Sequence, residues 1–272
     1  MQMSHSPSNA QIPPLVTFAG AGPGSAEHVT LAVARALAEA DVVLHDALVG
    51  PEVLALIGPQ ATRIETGKRG FGPSMDQTDI TSLLLGFALQ GRRVLRLKSG
   101  DPSIFGRMNE EITALELAGI GFRVLPGITS ASAATAAIGQ SLTERGRNSE
   151  LNFLTGHDTK GYTDSDWARL ALPGAVAAIY MGKKAARFIQ GRLMMHGASA
   201  RTPVTLVENV AQTEQKIWAA TLATLPEVAG CCVGPAIILL GLAPRLSTKT
   251  HTLTDLHQPD HHAREQAREE AF

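Results

Sequence analysis

Short apolar runs alternate with segments of helical pattern, and this alternation restricts the first half of the chain to few architectures. The runs predicted as strands cover residues 16–19, 42–45, 62–66, 93–97 and 122–125. Helices are predicted over 30–40, where Thr30 can cap the first turn, over 77–90, and after Arg107. Because strands separated by helices form a mainly parallel sheet covered by those helices, we expect an α/β domain here.

Turn residues at 126–130 interrupt this series, and a second set of elements follows them. We predict strands over 151–155, 175–180, 204–207 and 236–240, and helices over 130–138, 184–196 and 220–229. The sequence thus predicts two α/β domains of similar size, residues 15–126 and 127–246. The polar segments 1–14 and 247–272 are expected to be flexible tails.

The composition argues against several classes of function. Lys and Arg total 24 and Asp and Glu total 25, so the basic excess of a nucleic-acid-binding protein is missing. No apolar run approaches the ~20 residues that span a bilayer, and the first residues lack the apolar core of a signal peptide. Cys231 and Cys232 are adjacent, which favours reduced thiols, and the C-terminal histidines are more typical of a solvated tail than of a metal site. We expect a cytoplasmic protein with no nucleic-acid, membrane or metal partner.

Three glycine-rich loops follow predicted strands, where open α/β sheets bind their ligands. The loop 20–24 lacks the spacing of a dinucleotide fingerprint, and its proline removes an N–H that a pyrophosphate needs. In the loop 99–102, Gly100 permits close backbone approach, and Asp101 suits a ligand with a cationic or hydroxylated part. Asp101 is alternatively an ordinary turn residue, and the hydroxyls of the loop 126–130 are alternatively helix caps.

Two ionisable residues complete this set of candidates. Asp46 ends the second predicted strand, and Lys68 follows the third. If those strands are neighbours, both side chains point into one cleft. Each residue alone is more often a solvated charge than a catalyst, and the position at the carboxyl end of a strand makes the two interpretations about equal.

Ten short motifs follow one another along the chain. They are Gly20-Ala-Gly-Pro-Gly24, Asp46-Ala-Leu-Val49, Gly67-Lys-Arg69, Arg96-Leu-Lys-Ser-Gly-Asp-Pro102, Phe105-Gly-Arg107, Pro126-Gly-Ile-Thr-Ser130, Leu142-Thr-Glu-Arg145, Thr155-Gly-His157, Tyr180-Met-Gly182 and Val207-Glu-Asn209. In this order they resemble the motifs of the tetrapyrrole methylase family, and of its uroporphyrinogen-III C-methyltransferases most, from about residue 15 to residue 244. The resemblance implies two α/β domains with S-adenosyl-L-methionine in a cleft between them, and a homodimer. It also implies two methylations of uroporphyrinogen III, at C2 and C7, giving precorrin-2 for sirohaem or cobalamin and releasing S-adenosyl-L-homocysteine.

The resemblance also assigns roles to individual residues. Asp46 becomes a proton acceptor and Lys68 a proton donor. The implied cofactor contacts are Pro23, Ser99, Gly100, Asp101, Ile104, Thr129, Ser130, Met181, Pro235 and Ala236. The last two are implied to lie near the adenine. Because the tetrapyrrole carries many carboxylates, cations beside the motif loops are candidates to bind it, and these are Arg69, Arg107, Arg145 and Arg147.

The sequence departs from the family pattern at Ala47, Ser99, Met108-Asn109, Glu144 and Val210. Glu144 would repel an anionic substrate unless Arg145 or Arg147 pairs with it. Three alternatives stay open: a methylase of a later corrin intermediate, a nicotinamide-dependent oxidoreductase, and a protein that binds without turnover. The spacing of the loop 20–24 argues against the second, and the presence of Asp46 and Lys68 argues against the third. No dehydrogenase or chelatase module is recognised, so methyl transfer alone is expected.

Overall fold

A computed structural model describes residues 16–67, 75–157 and 161–253. The chain divides into two compact units, with the division after Thr129. The boundary predicted at residue 126 falls in the same turn-rich segment. Each unit has its own sheet and its own apolar clusters.

The first unit is built on a five-stranded parallel sheet in the order β3-β2-β4-β1-β5. Its elements are β1 (Val16–Gly20), α1 (Leu31–Glu39), β2 (Val42–His45), α2 (Pro51–Leu54), β3 (Thr62–Glu65), α3 (Gln77–Leu89), β4 (Val94–Lys98), α4 (Met108–Leu117) and β5 (Phe122–Leu125). The expectation of a mainly parallel sheet covered by helices is therefore confirmed for this unit. As predicted, Thr30 caps α1, because its Oγ1 accepts a hydrogen bond of 3.2 Å from the amide of Val33.

Alternating residues of the central strands supply two cores, one on each face of the sheet. On one face, Ala19, Val43 and Leu95 pack with the apolar stripe of α1 that includes Leu37. On the other face, the intervening strand residues pack with Leu84 of α3 and Leu115 of α4. Burial on both faces explains why β1, β2 and β4 have few exposed positions and give a clear sequence signal.

The second unit has a mixed sheet in the order β6-β7-β10-β8-β9, in which only β6 and β7 pair in parallel. Its elements are α5 (Ser130–Ala137), β6 (Asn152–Thr155), α6 (Trp167–Leu170), β7 (Ala177–Tyr180), α7 (Ala186–Met195), β8 (Pro203–Glu208), β9 (Lys216–Thr221), α8 (Leu225–Cys231) and β10 (Ala236–Leu240). Helix α5 packs on one face of this sheet, and α6, α7 and α8 pack on the other.

The predicted helix over 220–229 is wrong at its start, because residues 216–221 form the strand β9. This strand pairs with β8 along its whole length, from Lys216 opposite Glu208 to Thr221 opposite Pro203. The helix α8 begins only at Leu225, with a proline in its first turn, where a missing N–H costs nothing.

The expected tail at 247–272 also needs correction for its first residues. His251 lies beside β9, where its amide donates to the carbonyl of Ile217 at 2.7 Å and its carbonyl accepts from the amide of Ala219 at 3.1 Å. Leu253 packs on the core of the second unit. This segment covers the open edge of β9, whose backbone groups otherwise lack partners. The expected tail 1–14 and the rest of the C-terminal tail lie outside the described residues.

Candidate functional site

The three glycine-rich turns of the first unit meet at the edge of the sheet where its parallel strands end. A Cβ on Gly20 would lie 2.5 Å from the Cα of Gly127 and 2.6 Å from the carbonyl oxygen of Gly100. A Cβ on Gly127 would lie 2.2 Å from that same oxygen. Gly22 and Gly100 also exchange two backbone hydrogen bonds, of 3.2 and 2.8 Å. The turns therefore need glycine at these positions, and together they present bare main chain.

Asp101 ties two of these turns together. Its Oδ2 accepts a hydrogen bond of 3.0 Å from the amide of Gly127, and its Oδ1 accepts from the amide of Ser103 at 2.8 Å and from the Ser103 hydroxyl. The bonds to Ser103 are those of a turn residue, as the alternative interpretation expected. The bond from the amide of Gly127 is not part of a local turn, because it connects the loop 99–102 to the loop 126–130. A cofactor contact of Asp101 would use the lone pairs that these bonds leave.

A buried group of charges lies beneath Asp46, directly after β2. Asp46 Oδ1 lies 2.6 Å from Arg96 Nη2, and the arginine side chain is only 2% exposed whereas that of Asp46 is 33% exposed. Glu111 of α4 is fully buried and accepts from Arg96 Nε at 3.1 Å and from Lys98 Nζ at 2.7 Å. Gln77 adds a third bond to Glu111, of 3.0 Å. Two cations thus face two carboxylates, which is the balance that burial requires.

This arrangement orients Asp46 and leaves part of its carboxylate accessible. Arg96 is held on one side by Glu111, so its guanidinium presents a fixed donor to Asp46. Burial lowers the pKa of Lys98, the charge of Arg96 lowers it further, and Glu111 and Asp46 oppose the shift. The site therefore contains an oriented, half-exposed carboxylate that can accept a proton.

Sequence reasoning missed the roles of Arg96, Lys98 and Glu111. A signal was available: Arg96 and Lys98 occupy alternate positions of an otherwise apolar strand, so both point to the same face of the sheet. Buried cations need anionic partners, and the acidic residues at the start of the next helix were the nearest candidates.

Asp46 and Lys68 were expected to point into one cleft if the strands before them are neighbours in the sheet. Strands β2 and β3 are neighbours, with His45 opposite Glu65, and the amide of Thr66 donates to the carbonyl of His45 at 2.9 Å. Lys68 and Arg69 lie outside the described residues. Their predicted roles remain predictions.

Left-handed backbone at residues other than glycine is concentrated in the motif loops. Within the described ranges the residues other than glycine that have positive φ are Phe105, Arg107, Met181, Asn209 and Ala211. Such a conformation costs on the order of 1–3 kcal/mol and tends to occur where function requires it. Ile104, just before the first of these residues, is half-buried, and its amide donates to the carbonyl of Asp101 at 3.2 Å.

In the second unit, β6, β7 and β8 end and β10 begins at one edge of the sheet. The loops after β6 and β7 touch through glycine, since a Cβ on Gly156 would lie 2.6 Å from the Cα of Gly182. Met181 is 54% exposed at this edge, and Ala236 lies opposite Glu208. Pro235 is exposed, whereas Ser130 is half-buried at the start of α5. The candidate contacts from this unit are thus at the edge or at a helix start.

The remaining candidates of the first unit occupy comparable places. Pro23 is buried within the first glycine-rich turn, and Ser99 is half-buried directly after β4. Thr129 is half-buried at the end of the third turn.

The candidate substrate cations differ in their availability. Arg107 forms an exposed pair with Glu110, with N–O distances of 2.8 and 2.7 Å. Arg147 pairs with Glu144 at 2.8 Å and donates to the carbonyl of Ser141 at 2.6 Å, so the pairing that Glu144 required is present. Arg145 is exposed, and no partner within the described ranges forms an ion pair with it.

Two departures from the family motifs have structural explanations. Val210 is buried in the core cluster beside α5, and Met108 packs against the cluster beside α3 and α4. Both changes therefore serve packing.

Neither a metal cluster nor a membrane helix is found in the part of the chain that the structure describes. Within it, no group of three or more His, Cys, Asp or Glu side chains is arranged to hold a metal ion. None of its helices combines the length and the apolar character needed to cross a bilayer.

The chain was compared with known protein families, curated sequences and solved structures. The model of the Tetrapyrrole (Corrin/Porphyrin) Methylases matches residues 15–226. A sirohaem synthase of Aeromonas hydrophila is 43% identical over 226 residues, which are 83% of this chain and 48% of the relative. A sirohaem synthase of Edwardsiella ictaluri is 42% identical over 236 residues, which are 85% of this chain and 51% of the relative. The chain spans about half the length of the curated relatives it matches.

Among solved structures, a uroporphyrin-III C-methyl transferase of Thermus thermophilus, complexed with S-adenyl homocysteine, is similar to this chain. It shares 33% sequence identity, and the match covers 83% of this chain and 96% of that one, with a TM-score of 0.71. A cobalt precorrin-4 methyltransferase, with 24% identity and a TM-score of 0.76, shows the same fold over 85% of this chain and 97% of its own.

Proposed function

Because the chain belongs to the tetrapyrrole methylase family, we propose that it transfers methyl groups from S-adenosyl-L-methionine to ring carbons of a tetrapyrrole. The observation that carries this proposal is the set of turns in which Gly20, Gly100 and Gly127 pack backbone to backbone at the end of a parallel sheet. A surface of bare main chain suits a ligand with many hydrogen-bonding groups and a cationic centre. It does not have the anion-binding form that a nicotinamide dinucleotide needs.

The proposed substrate is uroporphyrinogen III, methylated at C2 and C7 to give precorrin-2 in sirohaem or cobalamin synthesis. The names of the sirohaem synthases and of the T. thermophilus enzyme support this choice. Among the candidate cations for the substrate carboxylates, Arg145 is the most available. Arg107 and Arg147 would have to share their carboxylate partners or give them up, and Arg69 completes the proposed set.

The cofactor supplies an electrophilic methyl group on its sulfonium, and the residues of the chain have to align the pyrrole carbon with it and exclude water. The attacked carbon becomes quaternary and has no proton to lose, so the proton leaves from the pyrrole nitrogen or a meso carbon. Asp46, oriented by Arg96, accepts that proton in the proposed mechanism, which balances the step. Lys68 is proposed as a proton donor elsewhere in the reaction, because the methyl transfer itself consumes no proton. General-base assistance is typically worth about 10²–10⁴-fold in rate, so alignment provides most of the acceleration.

The proposed cofactor contacts are the residues that the family motifs imply. They are Pro23, Ser99, Gly100, Asp101, Ile104, Thr129, Ser130, Met181, Pro235 and Ala236, and we assign Pro235 and Ala236 to the adenine. We also propose domains at 15–126 and 127–246, a homodimer, and a cytoplasmic location. Analytical ultracentrifugation of the purified chain tests the dimer directly.

An anaerobic transfer assay tests the proposed function. The purified chain is incubated with S-adenosyl-L-methionine and enzymatically prepared uroporphyrinogen III, and the mass of the product is recorded. We expect a gain of two methyl groups. Cofactor binding without any transfer would favour the non-catalytic alternative, and transfer only to an already methylated corrin intermediate would favour the later-acting methylase.

A further inference from the structure

The turn at residues 232–235, which leads from α8 into β10, is fastened by a lysine of another loop. Lys183 Nζ donates to the carbonyl oxygens of Cys232 at 3.0 Å, Val233 at 3.0 Å and Gly234 at 2.8 Å. An ammonium group has three N–H donors, and these three bonds use all of them. Lys183 lies two positions after Met181 in the loop that follows β7, so it links that loop to the turn.

A buried carboxylate holds the same turn from its other side. Glu208, the last residue of β8, is only 2% exposed. Its Oε1 accepts from the amide of Gly234 at 2.5 Å, and its Oε2 accepts from Trp218 Nε1 at 3.2 Å. The turn is closed further by a bond of 2.9 Å from the amide of Asn209 to the carbonyl of Pro235.

The turn cannot adopt a second backbone path while these contacts persist. A Cβ on Gly234 would lie 2.2 Å from Asn209 Oδ1, so a larger residue there would have to displace the Asn209 side chain. Both carboxylate oxygens of Glu208 and all three donors of Lys183 are satisfied by groups with fixed positions. What this turn presents outward is Pro235, which is exposed, and Ala236, which is half-buried.

Stability alone does not explain why charged groups are used here. Replacement of a buried charge by apolar side chains of similar size is often neutral or stabilising, so a charge is expected where a defined geometry is needed. Burial and the negative charge of Glu208 also raise the pKa of Cys232 to about 12, so that thiol stays neutral and does not compete for Lys183.

We propose that Lys183 and Glu208 are positioning residues that hold Pro235 and Ala236 in the conformation that binds the adenine of S-adenosyl-L-methionine. This inference rests on the proposed function and on its assignment of Pro235 and Ala236 to the adenine. It predicts that both residues act on recognition of the base and not on methyl transfer itself.

Calorimetric titration with two ligands tests the inference. S-adenosyl-L-homocysteine carries the adenine, whereas S-inosyl-L-homocysteine differs only in the base. In Lys183→Met we expect about tenfold weaker binding of the adenine compound, with little change for the inosine compound, because a few hydrogen bonds to the base are misplaced. Glu208→Gln keeps one acceptor oxygen and turns an N–H toward the other donor, so it retains only one of the two bonds. It should show a smaller effect of the same kind.

Two further variants serve as controls. Lys184→Met removes the adjacent, exposed lysine and should leave both affinities unchanged. Lys183→Arg should restore much of the preference for adenine, because a guanidinium can also donate to several carbonyl groups.

The outcomes separate the inference from the proposed function. Failure of the unaltered chain to bind S-adenosyl-L-homocysteine would contradict the proposed function itself. If the unaltered chain binds it and Lys183→Met behaves as Lys184→Met does, the positioning role is wrong. An equal loss for both ligands in Lys183→Met, with no rescue by arginine, also overturns the inference, because it indicates general damage to the fold.

Discussion

Glu111→Gln tests whether the buried charges beneath Asp46 depend on one carboxylate. The substitution keeps the size of the side chain but removes its negative charge. In the native protein Glu111 is fully buried and receives bonds from two cations whose side chains are each 2% exposed. Afterwards, only the half-exposed Asp46 opposes two buried positive charges. Removal of one partner from a buried ion pair costs about 3–5 kcal/mol, so we expect a loss of that size in the free energy of unfolding at pH 7.

The stability of Glu111→Gln should depend on pH, because the substitution changes the pKa of Lys98. Burial already lowers the pKa of Lys98, and Glu111 is one of the groups that oppose the shift. Without Glu111 the pKa falls further, so the folded variant binds fewer protons than the unfolded chain at mildly alkaline pH. Stability then rises with pH wherever the unfolded state binds more protons. We therefore expect the variant to regain part of its lost free energy of unfolding as the pH is raised. The gain occurs between the pKa of Lys98 in the folded variant and the ordinary pKa of a lysine.

Urea unfolding at pH 7 and at pH 9.5 measures both effects. Glu110→Gln is the matched control, because the neighbouring Glu110 forms only an exposed pair with Arg107 and should cost about 1 kcal/mol or less at either pH. The reasoning would be refuted by a loss for Glu111→Gln that is no larger than that of the control, or by a loss that does not change with pH.

Four other substitutions have defined outcomes. Gly127→Ala places a Cβ 2.2 Å from a backbone oxygen, so it should lower both the melting temperature and the affinity for the cofactor. Gly86→Ala, which adds a Cβ in open space on α3, should raise the free energy of unfolding by about 0.5–1 kcal/mol. Thermal unfolding and calorimetric titration measure these effects. Asp101→Ala removes the bond between the second and third turns and should weaken binding of S-adenosyl-L-homocysteine; an unchanged calorimetric affinity would remove Asp101 from the site. Hydrogen bonds and charge from Arg93 lower the pKa of Asp41 to about 2. The stability that this pair contributes is therefore present above pH 4 and is lost as the pH falls toward 2. The stability of Asp41→Asn should not contain this acid-sensitive part, which acid unfolding curves of the two proteins measure.

The parallel sheet could be predicted from the sequence because its central strands are buried on both faces. Residues 42–45, in a central strand, have the predicted bounds, and so do residues 122–125 in the edge strand β5. The helix predicted over 77–90 ends one residue early. The strand β9 could not be found in the same way. Its residues 216–221 alternate weakly, and the following Leu222, Ala223 and Thr224 continue a pattern that also suits a helix. Pairing with β8 decides the outcome, and that contact is not local in sequence.

The position of the candidate site followed from glycine and turn residues at the ends of strands, which are visible in the sequence. The ion pairs were not predictable in the same way, because a long side chain can reach many partners. Arg147 lies against Glu144 and Arg107 against Glu110, so two predicted substrate cations are already engaged. The partnership of Arg96 with Asp46 joins residues fifty positions apart, and only the pairing of β2 with β4 brings them together.

The position of the transferred methyl groups tests the central claim most directly. With S-adenosyl-L-methionine labelled with carbon-13 in its methyl group, the product formed from uroporphyrinogen III is examined by NMR. The account predicts two labelled methyl groups, both attached to quaternary ring carbons, at C2 and C7. Label at nitrogen or at a meso carbon, or unlabelled tetrapyrrole recovered from a chain that binds the cofactor, would contradict it.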